Sequence, residues 1–182
     1  MLYAAIAAGA VLLLALIIRR RGRRDGSKIA TLVVLGSGGH TAEMLRLITA
    51  FDFDRYGPLT LVIAATDTTS RAKAERELPQ AALSTARWAA IPRAREVGQS
   101  FVTSVPSTLH ALWACVHLIW TASPDLVLAN GPGTCVPVAV LGRLSGSRVI
   151  FAESWCRVES LSLTGRIMYW VAHRFVVHWP EL

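Results

Sequence analysis

Residues 33–45, VVLGSGGHTAEML, run from a β-branched segment through Gly36, Gly38 and Gly39 into His40 and a helix-compatible stretch. Glycine lets backbone N–H groups approach an anion closely, and a helix that starts there aims the positive end of its dipole at the same place. Gly36, Ser37, Gly38, Gly39 and Thr41 are therefore a candidate phosphate cradle, with an unliganded tight turn as the plainer alternative. His40 stands within reach of a phosphate oxygen or of an attacking hydroxyl. As a general base it needs a neutral imidazole, which a helix N-terminus favours by disfavouring the cation; the alternative is a histidine that only fixes the turn.

The same device recurs at residues 124–137, PDLVLANGPGTCVP, where Asn130, Gly131, Gly133 and Thr134 separate an apolar run from another helix start. If both turns open on one edge of a sheet, a single diphosphate can bridge them. A third loop, ESWCRVESLSLTG at 153–165, carries Glu153, Arg157 and Glu159, charges that orient a hydroxyl or a sugar or else only solvate the loop. Glu153 joins His40 as a candidate catalytic residue. Arg93 and Arg95, in IPRAREVGQS, are candidate phosphate partners that surface arginines imitate easily.

These residues need elements to hold them. IATLVVL at 29–35, LTLVIAA at 59–65, DLVLA at 125–129, RVIFAE at 148–153 and RFVVHW at 174–179 are short apolar runs of the kind buried on both faces of a parallel sheet, with a weaker strand at 88–91. Helix-compatible stretches fall between them, at 41–50, 70–77, 104–121, 136–144 and 162–172. The alternation predicts an α/β fold, a Rossmann-like parallel sheet with right-handed crossovers, in which ligands sit at the carboxyl ends of the strands.

One further element is expected outside that layer. The chain of 182 residues is 53% hydrophobic with a mean hydropathy of +0.43, and part of the excess lies in the uncharged run Leu2 to Ile18. As a helix that run is about 26 Å long, enough for a thin bilayer. Arg19, Arg20, Arg21, Arg23, Arg24 and Lys28 against Asp25 put +5 of the +7 net charge just behind it, leaving +2 for residues 29–182. Positive charge after the apolar run, with no small-residue cleavage site, predicts a single anchor, residues 1–28, with the following domain, residues 29–182, in the cytosol.

Several functions are disfavoured on the same grounds. The nearly neutral domain shows no basic stripe with interleaved aromatics, so nucleic acid is set aside as a partner. Cys115, Cys135 and Cys156 form neither a disulfide framework nor a zinc pattern, and each is expected to be a buried, inert thiol; no metal or cofactor is called for. In a dinucleotide fingerprint the third glycine would stand where Thr41 does, and no acidic residue follows at the spacing a ribose needs, since Asp67 in TDTTS is equally a helix cap. A membrane-tethered nucleotide-binding oxidoreductase is thus the weaker of two rivals, the other being a self-sufficient small membrane glycosyltransferase.

LGSGGHTAEML, IPRAREVGQS, NGPGTCVP and ESWCRVESLSLTGRI, ending in WPEL, resemble in order the family of membrane-anchoring subunits of the dolichol-linked UDP-N-acetylglucosamine transferase, which makes the second sugar addition of asparagine-linked glycosylation. More distantly, the glycine turns are similar to those in the acceptor-binding half of the bacterial peptidoglycan lipid transferase. The resemblance implies the N-terminal half of a GT-B fold, an endoplasmic reticulum membrane location, dolichyl-diphosphate-GlcNAc as acceptor, and a soluble catalytic subunit that binds UDP-GlcNAc as partner. Residues 29–182 suffice for one Rossmann-like domain but not for two. The family usually continues for some tens of residues beyond WPEL, into a tail that packs on the partner, where this sequence stops at Leu182.

Overall fold

The computed structural model describes residues 28–92 and 104–182. Six strands form one parallel sheet: β1 (Thr31–Val34), β2 (Leu59–Ala64), β3 (Arg87–Ile91), β4 (Leu126–Asn130), β5 (Arg148–Ala152) and β6 (Arg174–Val176). Their order across the sheet is β3-β2-β1-β4-β5-β6. Between them run α1 (Gly39–Ile48), α2 (Ser70–Glu77), α3 (Gln80–Thr85), α4 (Ser104–Ala122), α5 (Cys135–Leu144) and α6 (Leu163–Val171).

The apolar runs are continuous because both faces of the sheet are covered. Val33, Leu35, Leu61 and Leu128 face one side and pack with Met44, Leu45 and Ile48 of α1 and Ala74 of α2. Leu32, Val34, Val127 and Phe151 face the other side, against Cys115 and Ile119 of α4, Val138 and Leu141 of α5, and Met168 of α6. The period of two along each strand thus sorts residues between two helical layers rather than between core and water.

The strand order places the functional edge. From β1 the chain winds outward through β2 to β3; α4 then carries it back across the sheet to β4, which pairs with β1 in parallel, Thr31 opposite Leu126 and Val34 opposite Ala129. The chain leaves β1 and β4 in opposite directions, so the turns after them are neighbours with no crossover between them. That is the switch point at which ligands bind in sheets of this order.

The expected strands and helices are present with their ends shifted by a few residues, and one element was not foreseen. α3 is a six-residue helix beginning after Pro79, too short to show a helical period. β6 is shorter than the apolar run suggests: the chain turns away before Pro180, and Trp179 Nε1 donates to the Trp155 carbonyl at 2.9 Å. Residues 1–27, which hold nearly all of the expected anchor, lie outside the described residues; among the described residues no helix is long and apolar enough to cross a membrane.

Candidate functional site

The turn from β1 to α1 is held from behind and open in front. Gly38 has φ +63° with ψ −118°, a combination outside the left-handed helical region that a side chain forbids and glycine adopts freely. A Cβ at Gly38 or Gly39 would meet no atom of the described residues within 4 Å. Behind the turn the Thr41 hydroxyl donates to the Gly36 carbonyl, and Ser70 Oγ, in contact with both groups, donates to the Asp67 carboxylate. Asp67 also accepts from the backbone N–H groups of Thr69 and Ser70 at 2.9 and 3.0 Å, the capping role read from TDTTS. Burial pushes the Asp67 carboxyl up, but the hydrogen bonds from Ser70 and Thr69 outweigh it and hold the group below its ordinary 3.8. Lys73 Nζ donates to the Gly38 carbonyl at 3.2 Å and brings a cation to the turn that the sequence had not singled out.

The turn from β4 to α5 is packed. Gly131 has φ +79°, and a Cβ there would lie 2.5 Å from His40 Cγ and 2.6 Å from His40 Nδ1. A Cβ on Gly36 would lie 2.5 Å from His40 Cβ and 3.0 Å from Pro132 Cδ. Gly36 and Gly131 therefore make room for the His40 side chain and not for a ligand. Gly133 is exposed, and a Cβ on it would stand 3.9 Å from Thr164 Oγ1. Neither α1, capped at Gly38, nor α5, capped at Thr134, has a side-chain hydrogen bond to its first amides. α1 thus starts with no side-chain cap, whereas at the start of α5 the Cys135 and Val136 N–H groups donate to the Pro132 and Gly133 carbonyls at 3.1 Å and Pro137 has no N–H; both starts carry a partial positive charge and flank the half-buried His40.

Three predicted contacts turn inward instead of toward a ligand. Thr41 is fully buried and its hydroxyl locks the turn. Asn130 is fully buried and its Nδ2 donates to Glu43 Oε2 at 2.7 Å. Glu153 is fully buried: it accepts from the Ser162 N–H at 3.0 Å, from Ser162 Oγ at 3.0 and 3.1 Å and from the Ser154 N–H at 3.0 Å, while Gly165 is pressed against Oε2. This carboxylate anchors the loop after β5 and the Ser162 cap of α6; it has no open face for a reacting atom, which corrects its candidacy as a catalytic residue. Arg157 and Glu159 are exposed on that loop, and neither forms an ion pair among the described residues. Ser37 is half-buried at the mouth of the first turn. Arg93 and Arg95 lie outside the described residues.

The residue that joins these loops is Glu43, which sequence reasoning missed. It is 6% exposed, on the first turns of α1, and its carboxylate accepts from Asn130 Nδ2 at 2.7 Å, Ser154 Oγ at 2.9 Å and the Trp155 N–H at 3.3 Å, with His40 Nδ1 at 3.4 Å. A charged group is kept inside only with such partners, and here they come from all three strand-end loops. The available signal was its place three residues after His40, where a helix puts both side chains on one face.

Two other features stand apart. A cavity of about 860 Å³ opens at the opposite edge, lined among others by Lys28, Phe51, Tyr56, Arg148 and His173. It lies at the amino ends of the strands, away from the edge where parallel sheets bind ligands. Burial, then the charges of Arg143 and Arg148, push the His173 imidazole below its ordinary value, and its Nδ1 accepts from the Val149 N–H at 3.0 Å. Burial likewise pushes the Cys115 and Cys135 thiols up to about 12; Cys156, contrary to expectation, is exposed.

The family described as "Oligosaccharide biosynthesis protein Alg14 like" matches residues 31–182. The human protein "UDP-N-acetylglucosamine transferase subunit ALG14" is 42% identical over 191 residues, covering 98% of this chain and 88% of its own. The protein of the same name from Candida albicans is 38% identical, covering 82% of this chain and 70% of its own. Among solved structures, MurG of Acinetobacter baumannii shares the fold with a TM-score of 0.58 at 16% identity; the match covers 83% of this chain and 41% of MurG.

Proposed function

Because this chain belongs to the Alg14 family, we propose that it is a subunit of a UDP-N-acetylglucosamine transferase: the half that anchors the enzyme in the endoplasmic reticulum membrane and binds dolichyl-diphosphate-GlcNAc, while a soluble catalytic subunit brings UDP-GlcNAc. The observation that carries this reading is the start of α1, which has no side-chain cap and is faced by open space at Gly38 and Gly39 among the described residues, with the start of α5 as its neighbour. Backbone amides and helix dipoles there suit the two charges of a diphosphate.

In this mechanism the diphosphate rests on the first turn, beside Lys73 and the start of α5. The acceptor's 4-hydroxyl, presented near His40, attacks the anomeric carbon of the UDP-sugar held by the partner, and UDP leaves from the opposite face. Donor and acceptor come from opposite walls of a GT-B cleft, and a match covering 41% of MurG fits one wall. Orientation across such a cleft is worth about 7–11 kcal/mol of the barrier in well-aligned cases, so one wall alone should not catalyse transfer.

The sequence of residues 1–28 supports a single anchor with the remainder in the cytosol. On α4, Trp113 and Trp120 stand exposed seven residues apart, which suits a helix lying at a bilayer surface near a lipid acceptor. The experiment is reconstitution: the full chain in detergent, given UDP-GlcNAc and a short lipid-diphosphate-GlcNAc, should be silent alone and should form a lipid-linked disaccharide once the soluble subunit is added. Transfer by the single chain would overturn the subunit reading in favour of a self-sufficient transferase.

A further inference from the structure

Glu43 has four contacts, and they are not equivalent. Ser154 Oγ and the Trp155 N–H meet Oε1, whereas Asn130 Nδ2 and His40 Nδ1 both meet Oε2. An ionised carboxylate only accepts hydrogen bonds, so the ring nitrogen that faces it carries the proton. The neutral His40 imidazole then has its proton on Nδ1 and its lone pair on Nε2. Asn130 is bound the same way round: its amide nitrogen meets the carboxylate, and its Oδ1 is buried without a donor among the described residues. An unsatisfied buried oxygen is costly, a cost of the kind found where an arrangement serves something other than stability.

The packing leaves His40 little choice of position. Gly36 and Gly131 crowd its Cβ, Cγ and Nδ1, so the inner part of the side chain is fixed between the two turns while the residue keeps 33% of its side-chain surface. We propose that Glu43 is a positioning residue for transfer: it sets the His40 tautomer, so that Nε2 takes the proton of the attacking hydroxyl, and it ties this base to all three strand-end loops. The proposal rests on the acceptor-binding role given above and adds a group to that site.

The step balances. As the acceptor oxygen bonds to the anomeric carbon, its proton passes to His40 Nε2; the bond from the anomeric carbon to the nucleoside diphosphate breaks, and its electron pair leaves with UDP. Glu43 neither gains nor loses a proton. It stabilises the imidazolium that forms and holds Nδ1–H in place, as a carboxylate behind a catalytic histidine does. The separation of 3.4 Å is long for a hydrogen bond, as catalytic contacts often are before substrate closes the site.

Two measurements test this on the full chain with its soluble partner. The first is nitrogen-15 NMR of the histidine rings at a pH where His40 is neutral, its resonances identified by their loss in His40→Ala. A proton on Nδ1 is expected; the Nε2–H form overturns the proposal whatever the activity. The second is a double-mutant cycle on kcat at saturating acceptor. Glu43→Gln keeps the shape but places a donor or a weaker acceptor against His40 and Asn130, and it should lower kcat by about 10- to 100-fold with the acceptor KM changed by less than about threefold. His40→Ala should lower kcat at least as far, and the double variant should be no worse than His40→Ala, since two parts of one device do not add. A kcat for Glu43→Gln within twofold of the parent, a change confined to KM, or losses that multiply in the double variant would each overturn it. If Glu43→Gln fails to fold, Glu43→Asp replaces it in the cycle with the same criteria. A parent complex with no transferase activity would defeat the acceptor-binding reading, while the tautomer measurement would still decide the link between Glu43 and His40.

Discussion

The two glycine turns look alike in sequence and differ in what their glycines are for. Each follows a buried strand, contains a glycine with positive φ and opens a helix with no side-chain cap. In the first, Gly38 and Gly39 face open space among the described residues; in the second, Gly131 faces the His40 ring at a distance no Cβ tolerates. One turn is thin so that something outside the chain can approach, the other so that a side chain of the first turn can lie against it. Glycine in a phosphate-type motif is thus not by itself a ligand contact, because the missing Cβ can make room on the inside.

Substituting each glycine by alanine should separate these roles. The largest effect is expected at Gly131→Ala, where positive φ and overlap with His40 act together. We expect a loss of about 2–4 kcal/mol and a melting temperature lower by roughly 5–15 °C, with transfer impaired because His40 is displaced. Removing the obstruction tests the cause: in a His40→Gly background the same change should cost only the backbone part, about 1–2 kcal/mol. An equal cost in both backgrounds would mean that His40 is not what Gly131 accommodates.

At the first turn stability and binding should come apart. Gly38→Ala is expected to cost about 1–3 kcal/mol, because φ +63° with ψ −118° lies outside the left-handed helical region, and Gly38→Val should also abolish transfer while the domain stays folded. Gly39→Ala has neither a positive φ nor a neighbour to meet, so it should be neutral or stabilising by up to about 1 kcal/mol, yet it should raise the acceptor KM by filling the approach to the amides. Full activity with a bulky residue at position 38 would remove the phosphate role.

The smallest effect belongs to the brace behind the first turn. Asp67 has a pKa held below 3.8, so the stability it adds is fully present above the unfolded value of about 3.9 and is lost as pH falls through the folded value. Asp67→Asn should therefore unfold more readily than the parent in urea at pH 6, and the difference should close below about pH 4. A difference that persists unchanged at pH 3 would mean that the charge on Asp67 does not matter and only its shape does.

What the sequence determined about this protein is local. A run of β-branched and aliphatic residues followed by glycines and a helix start specifies strand, turn and helix within some fifteen residues, and it did so at 33–45 and again at 124–137, so the α/β alternation and the two strand-end turns were legible without coordinates. Asp67 was legible as a cap because its partners, Thr69 and Ser70, are its near neighbours. Glu43 was not, because its partners Asn130 and Ser154 lie 87 and 111 residues away and reach it only once β4 has inserted beside β1 and β5 beside β4. For the same reason Glu153 read as an open acid and proved to be a buried anchor: a charged residue after a strand looks the same in sequence whether the loop folds over it or leaves it to solvent. Which of two like turns faces a ligand, and which carboxylate stands behind the histidine, are decided by the order of the strands, since burial and hydrogen bonding depend on neighbours that chain distance does not supply.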